Sequence, residues 1–363
     1  MLQGKLRGWT SRAAADGFGT APGRPTETCG GPGAGPIGRV ARVVHLRIVA
    51  PEGMCREVLA VLERVDSVIN VVHLPGAARK PVGDVVLADV AKEDASVVIS
   101  ELRRLGVDRT GSISVEHIDT QISDAATEAE RVAEGAPGDA VIWEDVVHRT
   151  SEESTLSGTF IAFFLLAMLI TAVGILLDSP ILVVGGMVVG PEFGPIAATC
   201  VALVQRRGDL AVRSIAALAV GFPLGITVTV LVVLLLKATN ITPDEFSSDD
   251  HGLSNSIANP DFLAFFVAFC AGIAGMLSLT TAKSGALIGV LVSVTTIPAA
   301  ANIAVAFVYG DWSSWRGSQE QLLLNIAGIH LAGVLTLGVQ RAFYTRRARR
   351  HRARNSGDGP AAA

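Results

Sequence analysis

The sequence predicts a membrane all-α bundle of six transmembrane helices, built as a 3+3 inverted repeat, preceded by a small α+β domain in ferredoxin-like (βαββαβ) order. Three observations predict it. Apolar stretches long enough to cross a bilayer fill the second half of the chain. Charged residues are confined almost entirely to the region before Ser157, to short connecting loops and to the tail after Gln340. A Gly/Pro motif in the second apolar stretch recurs 103 positions later. Half of the 363 residues are hydrophobic and only 18% are charged, which sets the chain apart from ordinary soluble enzymes.

Residues 1–38 are rich in Gly and Pro, lack the apolar core of a signal peptide, and read as a disordered leader. A soluble domain is expected over 40–120. Val43 to Val49 alternates as a strand and Pro51 closes it. Over 52–65, Met54, Val58, Val61, Leu62 and Val65 recur at helical spacing opposite charged residues. The β-branched runs 67–74 and 84–91 predict two strands, with the Pro- and Gly-containing stretch 75–83 as their hairpin loop. A second amphipathic helix over 92–105 ends at Gly106, and 112–118 alternates once more. His45, His73 and His117 are isolated along the sequence and read as ordinary strand residues. Cys29, Cys55, Cys200 and Cys270 form no CxxC pair, so neither a disulfide framework nor a metal site is expected.

The polar stretch 121–154 reads as a linker whose segment 140–148 forms an amphipathic helix at the membrane surface, with Trp143 in the headgroup layer. Six spans follow, over about 155–177, 180–204, 214–236, 262–282, 284–309 and 320–340. Arg206, Arg207 and Arg213, then Lys283, then the Arg-rich tail 341–363 lie at alternate ends of the spans, so both termini are expected in the cytoplasm of a bacterial plasma membrane. The tail reads as a membrane-orienting element, and no nucleic-acid partner is expected.

The repeat aligns Gly186 to Pro195 with Gly289 to Pro298, each with Gly and Pro nine residues apart, and aligns Gly208-Asp209 with Gly310-Asp311. Three spans per copy would invert the second copy, as in many secondary transporters. Pro191, Pro195 and Pro298 are therefore expected to break spans two and five at the bundle centre, because freed carbonyls are tolerated in a membrane only against protein or water. Glu192 is the acid set deep among apolar residues. An ionised carboxylate there costs on the order of 2.5 to 3.5 kcal/mol unless paired or hydrated. Two readings stand for it: a substrate or ion ligand, or a carboxyl that ties the broken helices together through Thr295, Thr296 or Asn302. Asn302 and Asn325 are neutral pathway candidates, and His330 reads as interhelical glue or as a proton relay.

The run Gly174 to Pro180 with its Asp178-Ser179-Pro180 turn, the Gly-rich run 185–195, and the run 287–298 resemble the domain of unknown function 389 family of prokaryotic membrane proteins. The resemblance extends over about Val43 to Val339. It implies the membrane architecture and no settled activity. This chain departs from many members in carrying Glu192 where an apolar residue is common, and Ile297-Pro298 where a double proline is common.

The function these features lead to is a transporter or channel-like permease for a small solute or ion, with the soluble domain gating or assembling it. A homo-oligomer in the lipid bilayer is expected, with no cofactor. The alternative is a membrane-anchored sensor or scaffold. Neither an HExxH zinc motif nor a GxSxG elbow is present, so an enzyme is not expected.

Overall fold

In the computed structural model the described residues are 43–51, 53–118, 121, 123–133, 141–242, 245–246, 251–281 and 286–357, with side chains undescribed at 286–295, 347 and 350–357. The leader 1–38, Cys29, Asp244, Asp249, Asp250 and Lys283 lie outside them, and so does the side chain of Thr295.

The N-terminal part runs β1 (Val43–Ala50), α1 (Cys55–Glu63), β2 (Val68–Arg79), β3 (Val82–Ala91), α2 (Lys92–Arg104), α3 (Val107–Thr110) and β4 (Ser112–His117). The four strands form one antiparallel sheet in the order β2-β3-β1-β4. Period-2 alternation puts Leu46, Ile48, Val86, Ala88 and Val90 on one face. There they meet Val58 and Leu62 of α1 and Val98 and Leu102 of α2 in a single core. Gly106 closes α2 as expected, in the left-handed conformation at φ +85°.

The expected hairpin loop is shorter than the sequence reading placed it. β2 and β3 stay paired from Ala78↔Gly83 to Val68↔Val90, and the register shifts between Leu74 and Ala78. Pro75 and Gly76 thus mark a bulge within the ladder, where a missing donor is tolerated, and the turn itself is moved to residues 80–81.

After α4 (Asp124–Val132), α5 (Trp143–Glu153) corrects a second expectation. Trp143 is buried within the protein, in one apolar cluster with Ala197, Ala198, Val201, Met276 and Leu337, instead of standing exposed at a surface. Then come α6 (Gly158–Leu176), α7 (Pro180–Val189), α8 (Phe193–Gln205), α9 (Gly208–Ala238), α10 (Gly252–Ala258), α11 (Phe262–Thr281), α12 (Ala286–Tyr309) and α13 (Trp312–Gly357). Among the described residues four helices, α6, α9, α11 and α13, are long and apolar enough to cross a membrane. The bent pair α7 and α8 makes five if counted as one span. Phe163, Leu166, Leu231, Leu235, Phe262, Leu263 and Leu335 stand exposed on these helices, a distribution suited to a lipid surround. Several apolar helices of this kind describe a multi-pass membrane protein. α13 continues past the expected span end into the Arg-rich segment.

Packing repeats along the chain. α6 packs on α7 and α9 as α11 packs on α12 and α13, and α9 against α12 is matched by α13 against α8. Close approach is possible because Gly186 of α7 faces Thr171 and the Ala167 carbonyl of α6, leaving no room for a Cβ.

Candidate functional site

The centre of the bundle is set by the break between α7 and α8, where the two helices meet at 51°. Gly190 is extended at φ −62°, ψ 125°, and Pro191 follows it. A proline there removes a donor that α8 would need to continue α7. Pro195 does not break anything: it is the third residue of α8, a position whose N–H has no helical acceptor in any case. Pro298 departs from expectation. α12 runs continuously through it, so only the first of the two expected interruptions is a break in the helix. The helix still loses one hydrogen bond there, and the carbonyl four residues earlier is left without its helical donor.

Glu192 sits at the start of α8, the positive end of that helix's dipole. It is fully buried, and its Oε1 accepts a hydrogen bond from Thr296 Oγ1 of α12 at 2.9 Å. Of the three partners foreseen for it, Thr296 is joined to it, and the side chain of Thr295 lies outside the described residues. Asn302 belongs to another cluster, accepting from Ser254 Oγ at 2.8 Å and donating to Ser318 Oγ at 2.9 Å. That cluster ties α10, α12 and α13 together. Asn325 accepts from Gln321 Nε2 at 2.9 Å, one turn away on α13. His330 is half-buried and bonds through Nδ1 to the Ile326 carbonyl of its own helix at 2.8 Å, a contact within α13 where glue between helices or a proton relay is expected.

A cavity of about 610 Å³ gathers several of these residues. Asn255 and Ser256 of α10, then Asn259 and Asp261, line one side; Pro298 and Ala299 of α12 with Gln321 and Asn325 of α13 line the other. Gln321 and Asn325 are almost fully buried. Its polar lining thus meets α12 at the proline that costs the helix a hydrogen bond. Gln321, Asn255, Asn259 and Asp261 were not singled out from the sequence. Each lies outside the repeat motif, and only α10, folded back onto α12 and α13, makes them neighbours of Pro298.

A line of contacts joins the N-terminal sheet and its helices to this centre. Ser96 of α2 donates to the Val141 carbonyl at 3.0 Å and accepts from the Trp143 N–H at 3.1 Å, and the Tyr344 hydroxyl donates to the Ser96 carbonyl at 3.3 Å. α5 then runs along α8 until Glu153 abuts Gly194, two residues beyond Glu192.

A family model described as "Domain of unknown function (DUF389)" matches residues 187–331. The resemblance to this family is borne out over that segment, which is shorter than the Val43 to Val339 expected. The DUF389 match runs from within α7 to within α13 and so includes Glu192, Pro298, Asn325 and His330. The chain is also 24% identical over 195 residues to an uncharacterised protein of Methanocaldococcus jannaschii, a match covering 54% of this chain and 58% of that protein. No solved structure matches this chain.

Proposed function

We propose that this protein is a permease for a small solute or ion, whose pathway runs through the cavity and past Glu192 and Thr296. One observation carries the reading: an open, half-polar cavity in an apolar bundle is lined by Asn325 of α13 and by Pro298 of α12, two residues along from the threonine that bonds a buried acid. An acid at the helix break and Asp261 at the cavity favour a cation, or a solute moved with a proton, over an anion.

The architecture proposed with it is six spans, with α7 and α8 as the second and α12 as the fifth, in two inverted copies of three. Support comes from the doubled packing and from matched helix ends. α8 ends with Arg206 at φ +57° and α12 with Gly310 at φ +73°. At each end the next N–H reaches back five residues, Arg207 to the Ala202 carbonyl at 2.9 Å and Asp311 to the Ala306 carbonyl at 3.0 Å. The distribution of basic residues supports both termini in the cytoplasm of a bacterial plasma membrane. The antiparallel order β2-β3-β1-β4 with its two helices supports a ferredoxin-like domain, which α5 would couple to the break as a lever. No catalytic step and no cofactor is assigned, and a homo-oligomer is the assembly proposed.

Reconstitution into liposomes tests the reading. Protein-dependent flux of at least one member of a panel of monovalent cations, divalent cations and small metabolites is expected, with loss of that flux in Glu192→Gln. No flux and no binding across the panel contradicts it. A second reading, a membrane-anchored sensor or scaffold, is favoured by the full burial of Glu192, bonded to Thr296, in this conformation.

A further inference from the structure

The soluble sheet brings together three residues that the sequence keeps apart. Cys55 opens α1, His73 lies on β2 just before the bulge, and Asp84 lies near the start of β3. Cys55 Sγ is 3.2 Å from His73 Nε2, and His73 Nε2 is 2.9 Å from Asp84 Oδ2. The three donor atoms all lie within 4.8 Å of one another. We propose that Cys55, His73 and Asp84 form a three-ligand site for a divalent transition-metal ion of the zinc class.

The donor set suits such an ion. Thiolate and imidazole disfavour Mg²⁺ and Ca²⁺, which take oxygen ligands, and favour Zn²⁺ and its neighbours. The spacing suits it too. Tetrahedral bonds of about 2.0 to 2.3 Å set neighbouring ligand atoms about 3.3 to 3.6 Å apart. The two separations made by His73 Nε2 are a few tenths of an ångström shorter, so the ion needs a small outward shift, which the partly exposed His73 can make. Asp84 is already aimed. Its Oδ1 accepts from the Gly76 N–H at 2.8 Å, which leaves Oδ2 turned towards the other two donors. Outer partners of this kind orient carboxylate ligands in metal sites. Gly76 presents that N–H from φ +61°, within the bulge, so the irregularity in the ladder has a use.

Three protein ligands leave a fourth position for water or a small ligand, on the side where His73 meets solvent. Binding would clamp α1 to the β2–β3 ladder. The earlier expectation of no metal site rested on the absence of a CxxC pair and on isolated histidines. The bulge and the strand pairing, not spacing in the chain, make the cluster.

The test uses the full chain in detergent, stripped by a chelator and titrated with Co²⁺ and then Zn²⁺. The expected result is one equivalent of Co²⁺ with a thiolate-to-cobalt charge-transfer band, displaced by Zn²⁺ and not by Mg²⁺. Cys55→Ser removes the band, and His73→Ala and Asp84→Asn each weaken binding by more than about a hundredfold, beyond the loss typical of an outer-shell partner. Joint replacement of Cys200 and Cys270 by Ser leaves the band in place. A wild-type chain without the band, a band that survives Cys55→Ser, or unchanged affinity in His73→Ala overturns the proposal. His73 is partly exposed, so its variant keeps the test decisive even where Cys55→Ser fails to fold.

Discussion

Glu192 and Asp89 are two acids held in different ways, and each makes its own prediction. Glu192 accepts from Thr296 in a fully buried setting. Thr296→Val removes that donor and is expected to cost about 1 to 3 kcal/mol, read as a lower unfolding temperature in detergent. Glu192→Gln keeps an oxygen for the same bond and is expected to change stability much less while altering flux. Equal destabilisation by both would assign the pair to structure alone. Asp89 lies on the opposite face of the sheet. Burial pushes its carboxyl up, but hydrogen bonds from Asn70, His45 and Gln121 outweigh that and hold it below the usual 3.8. A depressed folded-state value stabilises above the unfolded one and fades as pH falls through the lower value. The stability gap between wild type and Asp89→Asn should therefore be widest near neutral pH and narrow as pH is lowered below about 3.8. A gap constant with pH would show that the carboxylate charge is not what those donors recognise. Glu192 was legible in the sequence because an acid among apolar residues is conspicuous. The role of Asp89 was not, since its partners come from three separate segments.

At the scale of elements, the amphipathic helices and β-branched strands were legible because periodicity reports which face is buried. What proline does was less so, because its effect depends on its place within a helix. Pro191 lies in a break, Pro195 is harmless in a first turn, and Pro298 is absorbed by a continuous α12. The same residue in the β2–β3 ladder marks a bulge, which composition alone cannot separate from a turn. Trp143 was misplaced for a related reason. Its aromatic ring suits an interface or a core equally well, and only the packing of α5 along α8 decides. That packing predicts a contrast between two glycines. A Cβ on Gly194 would meet Glu153, with the Glu153 carbonyl oxygen 2.9 Å away, whereas one on Gly185 meets nothing within 4 Å. Gly194→Ala is expected to lose about 1 to 3 kcal/mol by overpacking, and Gly185→Ala to change stability little. Thermal unfolding of the two variants side by side checks it, and equal behaviour would remove α5 as a tightly fitted lever.

For the whole molecule, hydropathy made the membrane part legible, and the repeated Gly/Pro motif pointed to its centre. The cavity was not legible, because its polar lining is assembled by α10 folding back between α12 and α13. The central claim is that this cavity is one end of a passage. Cysteine accessibility tests it most directly, in a chain whose own four cysteines are replaced by Ser. Asn325→Cys and Thr296→Cys are treated in sealed right-side-out and inside-out vesicles with a small, charged, membrane-impermeant thiol reagent. The account predicts that Asn325→Cys reacts from the outer side and that Thr296→Cys reacts from both sides, as the protein opens alternately to each. Reaction of Asn325→Cys from outside with none at Thr296→Cys from either side would make the cavity a closed vestibule and contradict the permease.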